Sequence, residues 1–576
     1  MSMRRPTRWV EGEGTMSRND KGELRHTPPE SRTRSMRGHT LRGNRDTPGP
    51  PAEERAGRPR KAQAEARHER TRGVGGAHST EEAGEQGKLF GAEESVEGRR
   101  PVKGNTNRST TPGTQRPDHV MSGLERVRQA ATRKGQRLTA LLHHVHAESL
   151  RESFKALKKD AASGVDGMTW REYEKDLEAR LRDLKDRVHA GQYRAQPSRR
   201  VYIPKADGRM RPLGIAALED KIVQHAVGRV LEAIYEKEFL GFSYGFRPGR
   251  NQHDALDALS VALTGPISWV LDADIEGFFD SINHERLMKF IELRIGDKRV
   301  LRLILKWLRA GVSEEGRWTR TTVGTPQGAV ISPLLANIYL HYVLDVWVQT
   351  WRKKSARGRV IIVRYADDFV MGFQHRNEAE KFLEELGKRL QDFGLRLHPK
   401  KTRLIEFGRF ATRERCKREQ GKPETFDFLG FTHYCGITPG GKFVVKRKTN
   451  RRRLSARIRE TATQLKSWRH HAIAQVGTWL KSVARGYLNY HAVPGNFKAL
   501  DTFHREIGRA WFRSLRKRSD HAKNLSWKTM SGILKQWLPT PKILHPHPHA
   551  RFAAKYPRQE PDAVAPQVRI CPGGVW

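Results

Sequence analysis

The sequence predicts an α+β protein, and three observations carry that expectation. The first is Val360-Ile-Ile-Val-Arg364-Tyr365-Ala366-Asp367-Asp368-Phe369-Val-Met-Gly-Phe373, where two apolar runs flank a tight break holding adjacent carboxylates. Such runs around a turn read as a buried β-hairpin with its acids at the tip. The second is Trp269-Val-Leu-Asp272-Ala-Asp274-Ile275-Glu-Gly277-Phe278-Phe279-Asp280, a buried strand that ends in acids and continues through glycine into aromatics. The third is helical periodicity between and after the strands. Ile222, Val223, Ala226, Val227, Val230, Leu231 and Ile234 recur at 3.6-residue spacing, and Ala379, Phe382, Leu383, Leu386 and Leu390 form another such stripe.

The acids point to chemistry. Carboxylates on apolar flanks stay uncompensated unless a cation joins them, and hard oxygen ligands suit Mg²⁺. An isolated Asp-Asp would read as a solvated turn, but a second acidic strand argues against that here. Two-metal phosphoryl transfer needs carboxylates from separate strands converging on ions about 3.5–4 Å apart, one activating a 3′-oxygen and one stabilising pyrophosphate. Asp274 followed by Phe279-Asp280, then Tyr365-Ala366-Asp367-Asp368, resembles motifs A and C of reverse transcriptases, specifically the group II intron-encoded reverse transcriptase/maturase family. The resemblance covers roughly residues 124–540. It implies a right-hand polymerase with fingers, a palm built on an antiparallel sheet with flanking helices, and an α-helical thumb with a maturase domain. The borders expected are 121–265 for an N-terminal extension and fingers, 266–435 for the palm, 436–545 for thumb and maturase domain, and 546–576 for a flexible end.

Composition bounds the partners. The 576 residues suffice for three or four domains, and 108 Lys+Arg against 64 Asp+Glu give a formal charge of +44. That balance predicts a polyanionic partner and salt-dependent binding. No apolar run of about 18 residues exists to span a bilayer, and no signal-peptide core follows the start, so a soluble protein of the bacterial cytosol is expected. Cys416, Cys435 and Cys571 are too far apart for a disulfide framework or a zinc finger, which fits a reducing compartment.

Taken in order, residues 1–120 are rich in Arg, Gly, Glu, Pro, Ser and Thr, with too little apolar surface to offset ordering entropy, and should be disordered. Helical patterning starts at Met121, and a chain begun there is expected to keep full activity. Basic amphipathic helices then alternate with the Ser163–Gly167 loop. His143, His144 and His146 read as a helix face rather than a metal site, since no carboxylate or Cys partners stand nearby.

Arg199–Ile215 reads as two strands joined by an Asp207-Gly208 turn. The resemblance places Lys205 and Arg211 where fingers residues clamp an incoming triphosphate, and a guanidinium suits bidentate phosphate contact. Gly241–Arg250 matches the block lining the template and nucleotide path. Two acids compete for the ligand role in motif A; the family spacing selects Asp274 over Asp272. The Ile275 carbonyl then completes a metal shell, and Phe279 acts as the steric gate against a ribose 2′-hydroxyl.

Thr325-Pro326-Gln327-Gly328 ahead of an apolar helix resembles motif B, which implies that Gln327 contacts the template-primer pair and nucleotide while Asn337 helps hold the helix. His398-Pro-Lys400-Lys401 matches motif D, where one of the two lysines protonates pyrophosphate; which one is left open. Phe426–Phe431 resembles the primer-grip strand.

Beyond residue 440 the chain turns into basic helices with interleaved aromatics. Basic residues can contact phosphates and aromatics can stack on unpaired bases, although more than half of these rings are expected in cores. Arg485-Gly-Tyr487-Leu-Asn-Tyr490 resembles the maturase-specific block, and Arg451, Arg452, Arg453, Arg485, Tyr487 and Tyr490 are the candidate RNA contacts. His545-Pro-His-Pro-His549 reads as a loop.

The resemblance therefore implies RNA-templated DNA synthesis with two Mg²⁺ held by Asp274, Ile275, Asp367 and Asp368. Expected partners are the host intron RNA, a DNA primer and target site, and deoxynucleoside triphosphates. The paired cysteines of the His-Asn-His endonuclease found in many relatives are missing, so strand cleavage or priming is expected from elsewhere. One alternative is a splicing factor without significant polymerase activity, whose marks would be lost carboxylates or a broken Gln327-Gly328 loop; both features are intact. A reverse transcriptase of another bacterial retroelement lineage would be expected to lack the Arg485–Tyr490 block.

Overall fold

The computed structural model describes residues 123–556 apart from 134 and 205–209. The tail at 1–120, Met121, Lys205, the Asp207-Gly208 turn, Cys571 and the end from 557 lie outside the described residues. Within them the protein is α+β.

Three amphipathic helices, Gly123–Ala131, Ala147–Ala156 and Leu177–His189, open the fold with one apolar face each, as with Leu181, Leu184 and Val188 of the third. The histidine triplet departs from the expected helix face. His143 and His144 end a short 3₁₀ turn, and His146 is a cap whose Nδ1 accepts from the Ser149 N–H while Ser149 Oγ accepts from the His146 N–H. The reciprocal pair satisfies donors that a helix start leaves unpaired.

Strand β1 (Ser198–Pro204) pairs antiparallel with β2 (Met210–Ile215). The helix Leu218–Tyr235 follows, and all seven residues of its expected stripe are buried. Next come the helix Gln252–Ala262, with the capping box Asn251/Asp254, and β3 (Trp269–Asp274). Strand β4 (Val312–Glu314) runs parallel to β1, and β5 (Arg317–Thr319) closes that four-stranded sheet in the order β2-β1-β4-β5. Strands β6 (Val360–Tyr365) and β7 (Asp368–Phe373) form the hairpin read from the sequence, and β8 (Arg403–Glu406) completes an all-antiparallel sheet in the order β6-β7-β3-β8. Finally β9 (Phe426–Phe428), β10 (Phe431–Ile437) and β11 (Phe443–Thr449) make a three-stranded antiparallel sheet.

The β6-β7-β3-β8 sheet is buried on both faces, which explains why β6 reads as a continuous apolar run instead of an alternating one. Val360, Ile362, Leu271, Ala273, Phe369, Met371 and Phe373 belong to a core that extends through the helices from Val127 to Leu395, across the expected border at 265/266. Ile361, Val363, Val270, Val370 and Ile405 belong to a second core on the opposite face, shared with Phe426, Phe428 and Phe431. Four helices, Arg451–Ser467, Ile473–His491, Phe497–Arg516 and Trp527–Trp537, enclose a third core around Leu480, Trp511 and Met530.

The flexible end expected from residue 546 is corrected for its described part. Pro548–Lys555 is a helix that buries Phe552 in the second core and ties Arg551 to Asp257 and Lys555 to Asp254 of the helix Gln252–Ala262. Pro548 at the first turn suits a helix start, since its missing N–H would have no partner there. No helix among the described residues is long and apolar enough to cross a membrane.

Candidate active site

The hairpin turn is made by Ala366 and Asp367, because Tyr365 and Asp368 are the last paired residues of β6 and β7. Ala366 has φ +58°, a left-handed conformation costly for a residue with a Cβ. Gly245 lies against it: a Cβ at Gly245 would come within 2.4 Å of the Ala366 nitrogen. The turn is thus held by close backbone contact that only glycine permits.

Antiparallel register sets the acids. Asp274, the last residue of β3, pairs with Asp368, the first of β7, while Asp272 pairs with Val370 on one side and Arg403 of β8 on the other. By strand alternation Asp272, Asp274 and Asp368 share the sheet face of the second core, with Asp367 at the turn. Burial, followed by the charges of Asp367, Asp274 and Asp272, pushes the Asp368 carboxyl up to about 7. Burial also raises Asp367, and it raises Asp272 to about 6 against the opposing pull of Arg403. A cluster of carboxyls that resists ionising is a site that attracts cations.

Cations of the protein itself surround it. Lys401 Nζ meets Asp274 Oδ2 at 2.5 Å, and Arg403 Nη2 meets Asp272 Oδ2 at 3.2 Å. Arg211 lies near enough to favour the ionised form of Asp367, as does Arg453 for Asp368. Of the two motif D lysines, Lys401 is the one that meets an acid; the backbone N–H of Lys400 donates to His398 Nδ1.

Ile275 is buried and bridges to Leu397. That bridge is made by the Glu276 N–H donating to Arg396 O and the His398 N–H donating to Asp274 O, so it does not use the Ile275 carbonyl. Among the described residues no group of three or more His, Cys, Asp or Glu side chains is arranged to hold a metal ion by itself. Mg²⁺ commonly takes only one or two protein carboxylates beside waters and substrate phosphates, so this open set of oxygen donors fits it.

The Gln327 loop is stitched to both neighbouring elements. Thr325 N–H donates to Phe279 O at 2.8 Å, Gln327 Nε2 donates to Asp280 Oδ2 at 3.4 Å, and Gly214 N–H of β2 donates to Gln327 O at 2.6 Å. Gly328 has φ +108°, and a Cβ there would stand 2.8 Å from Gly214 O. These bonds gather Arg211 on β2, the half-buried Phe279 and Gln327 around the end of β3.

The candidate RNA contacts divide. Arg451, Arg452, Arg453 and Arg485 are exposed, the first three opening a helix capped by Asn450 Oδ1. Tyr487 is a correction: it is only 7% exposed and its ring stacks on Phe503 at 3.9 Å, inside the third core. Tyr490 also turns inward, donating its hydroxyl to Leu429 O at 2.7 Å and stacking on Phe431. Tyr487 thus faces the helices of the third core, whereas Tyr490 packs against the β9–β10 end of the second core.

Sequence reading passed over Arg364 and Asp345, which form an ion pair at 0% side-chain exposure beneath the turn. A single cation within the otherwise apolar strand Val360–Tyr365 was the available signal. Nothing local marked Asp345.

Residues 203–433 match the family model described as reverse transcriptase (RNA-dependent DNA polymerase). The chain is 38% identical to Protein YkfC of Escherichia coli over 274 residues, which is 42% of this chain and 71% of that protein. It is 42% identical to the group II intron-encoded protein LtrA of Lactococcus lactis over 206 residues, 36% of this chain and 32% of LtrA. With the putative COX1/OXI3 intron 1 protein of Saccharomyces cerevisiae it shares 27% identity over 399 residues, 56% of this chain and 46% of the relative. The matches thus span less than half of the two intron proteins.

Proposed function

Since this chain belongs to the group II intron-encoded reverse transcriptase/maturase family, we propose that it is an RNA-directed DNA polymerase that copies intron RNA into cDNA and assists that RNA's splicing and mobility. The observation that carries the reading is the register that sets Asp274 opposite Asp368, with Asp367 one residue away. On this reading residues 121–265 are the fingers with their N-terminal extension, 266–435 the palm, and 436–545 the thumb and maturase domain.

Asp274, Asp367, Asp368 and the Ile275 carbonyl would hold two Mg²⁺, which when bound activate the primer 3′-hydroxyl and stabilise the departing pyrophosphate. The protein's own groups do the rest. Arg211, with Lys205, receives the triphosphate, and Gln327 sets the nucleotide against the template base. Phe279 fills the space of a 2′-hydroxyl and so favours deoxyribose. Lys401 is assigned as the donor of a proton to pyrophosphate, since its ammonium already meets Asp274. The exposed Arg451, Arg452, Arg453 and Arg485 bind RNA phosphates; the formal charge of +44 makes that binding salt-dependent.

Asp367→Ala tests the reading. Extension of a DNA primer on an RNA template is expected to fall by at least about 10²-fold, the usual order for loss of a charge-stabilising group, while RNA binding in a filter assay holds. Retained synthesis would rule out this site.

A further inference from the structure

A polar knot lies under the acid hairpin, on the sheet face away from Asp274 and Asp368. Arg364 is fully buried, yet four of its N–H directions are satisfied. Nε and Nη2 donate to the two oxygens of Asp345 at 2.7 and 2.5 Å, and Nη1 donates to Asn337 Oδ1 at 3.0 Å and to the Ala366 carbonyl at 2.9 Å. Asn337 in turn donates from Nδ2 to Gly245 O at 2.7 Å. Asn337 and Asp345 come from one helical segment, Ser332–Leu340 followed by the π-helical turn His341–Asp345. A π turn shifts the facing of the residues after it, and such turns recur where a side chain must be re-aimed.

We infer that Arg364, Asp345 and Asn337 are a positioning unit that sets the aim of Asp367 and Asp368 and couples it to the helix behind the Gln327 loop. The inference rests on the reading of the hairpin as the polymerase site. Its basis is where the donors go. The Ala366 carbonyl belongs to the peptide leading into Asp367, so one arginine bond fixes that peptide plane while Ala366 occupies its left-handed conformation. The Tyr244-Gly245 segment closes the ring: its Gly245 carbonyl is held by Asn337, and its backbone abuts the Ala366 nitrogen. A movement of the helix Ser332–Leu340 therefore reaches the acid turn through the hydrogen-bonded route Asn337–Arg364–Ala366 and through Gly245, which Asn337 holds and whose backbone packs on Ala366. For stability alone, an apolar pair of similar volume would serve as well as this buried ion pair.

That equivalence supplies the test. Arg364→Met combined with Asp345→Leu removes both charges and leaves the volume filled. We expect a lowered melting temperature, because Asn337 Oδ1 and the Ala366 carbonyl lose their arginine donor, with unchanged RNA binding in the folded protein and kcat lower by about 10²-fold, as for a misaimed catalytic group. Nucleotide KM should hold within about twofold, whereas Mn²⁺ binding read by electron paramagnetic resonance should weaken by about fivefold or more. Full synthesis with parental Mn²⁺ binding would overturn the inference.

Asn337→Ala is the second variant, because it keeps the Arg364–Asp345 pair. It should show the same pattern with a kcat loss of about tenfold, and parental kcat and Mn²⁺ binding would likewise overturn the inference. Asp367→Ala run alongside separates the two readings. If it still synthesises, the site reading fails; if it is inactive while both knot variants match the parent, only the positioning role fails.

Discussion

Asp274 and Asp368 face each other as a register pair across β3 and β7. Burial, with the neighbouring carboxylate charges added, makes Asp368 costly to ionise, and the fold keeps it despite the cost. Replacing it should expose that tension. Asp368→Asn is expected to stabilise the protein at pH 8 by on the order of 1–4 kcal/mol, the scale of lifting a carboxyl to about 7. Primer extension should fall by at least about 10²-fold in the same variant. Thermal melts and extension rates check the pair of outcomes, and a destabilised variant would contradict the assigned cost of burying this carboxylate beside its neighbours.

The same shift predicts a pH dependence. With its folded value raised above the unfolded one, the protonated form of Asp368 favours the fold, and that stability is lost as pH rises through about 7 in the absence of divalent ions. Divalent ions compete with this proton, so their binding strengthens over the same interval. Titrations of Mg²⁺ against extension rate at pH 6 and pH 8 should give a lower half-saturating concentration at the higher pH. An equal requirement at both would argue against Asp368 as a ligand.

Phe279 separates a sugar gate from a packing residue. It is half-buried, its carbonyl accepts from the Thr325 N–H, and its ring meets Phe278 edge-on at 5.5 Å. Phe279→Val keeps an apolar contact with the core while shortening the ring. Ribonucleotide incorporation relative to deoxyribonucleotide should rise by about tenfold or more, the order of a lost steric contact of about 1–3 kcal/mol. A lowered melting temperature with an unchanged ratio would mark it as packing alone.

What the sequence disclosed was local. The acids, the hairpin, the Gln327 loop and the buried stripe of Leu218–Tyr235 each lie within a dozen or so residues, where period and turn chemistry speak directly. The assignment of Asp274 over Asp272 needed the family spacing, because both acids sit on one face of β3 and periodicity cannot separate them. Arg364 and Asp345 were opaque for another reason: their partnership crosses from a strand to a π turn 19 residues earlier. Tyr487 misled because a basic, aromatic helix looks alike whether its rings meet bases or neighbouring helices. The helix Pro548–Lys555 was hidden behind a Pro/His stretch, and its anchor on Asp257 lies 294 residues away from Arg551.

That anchor supports a last prediction. Asp257 is almost fully buried and accepts from Arg447 Nη2 at 2.8 Å and from Arg551 Nη2 at 2.8 Å, with Arg551 Nε donating as well. One carboxylate thus ties β11 and the C-terminal helix to the helix Gln252–Ala262. Asp257→Ala strands the buried Arg447 guanidinium without its counter-charge, and it should destabilise the fold by about 3–5 kcal/mol. Arg551→Ala leaves Asp257 paired with Arg447 and should cost only about 1–2 kcal/mol. The double variant should cost less than the sum, since the second change removes a partner already lost. Urea melts of the three proteins measure the cycle, and strict additivity would show that the two arginines do not share this acid in solution.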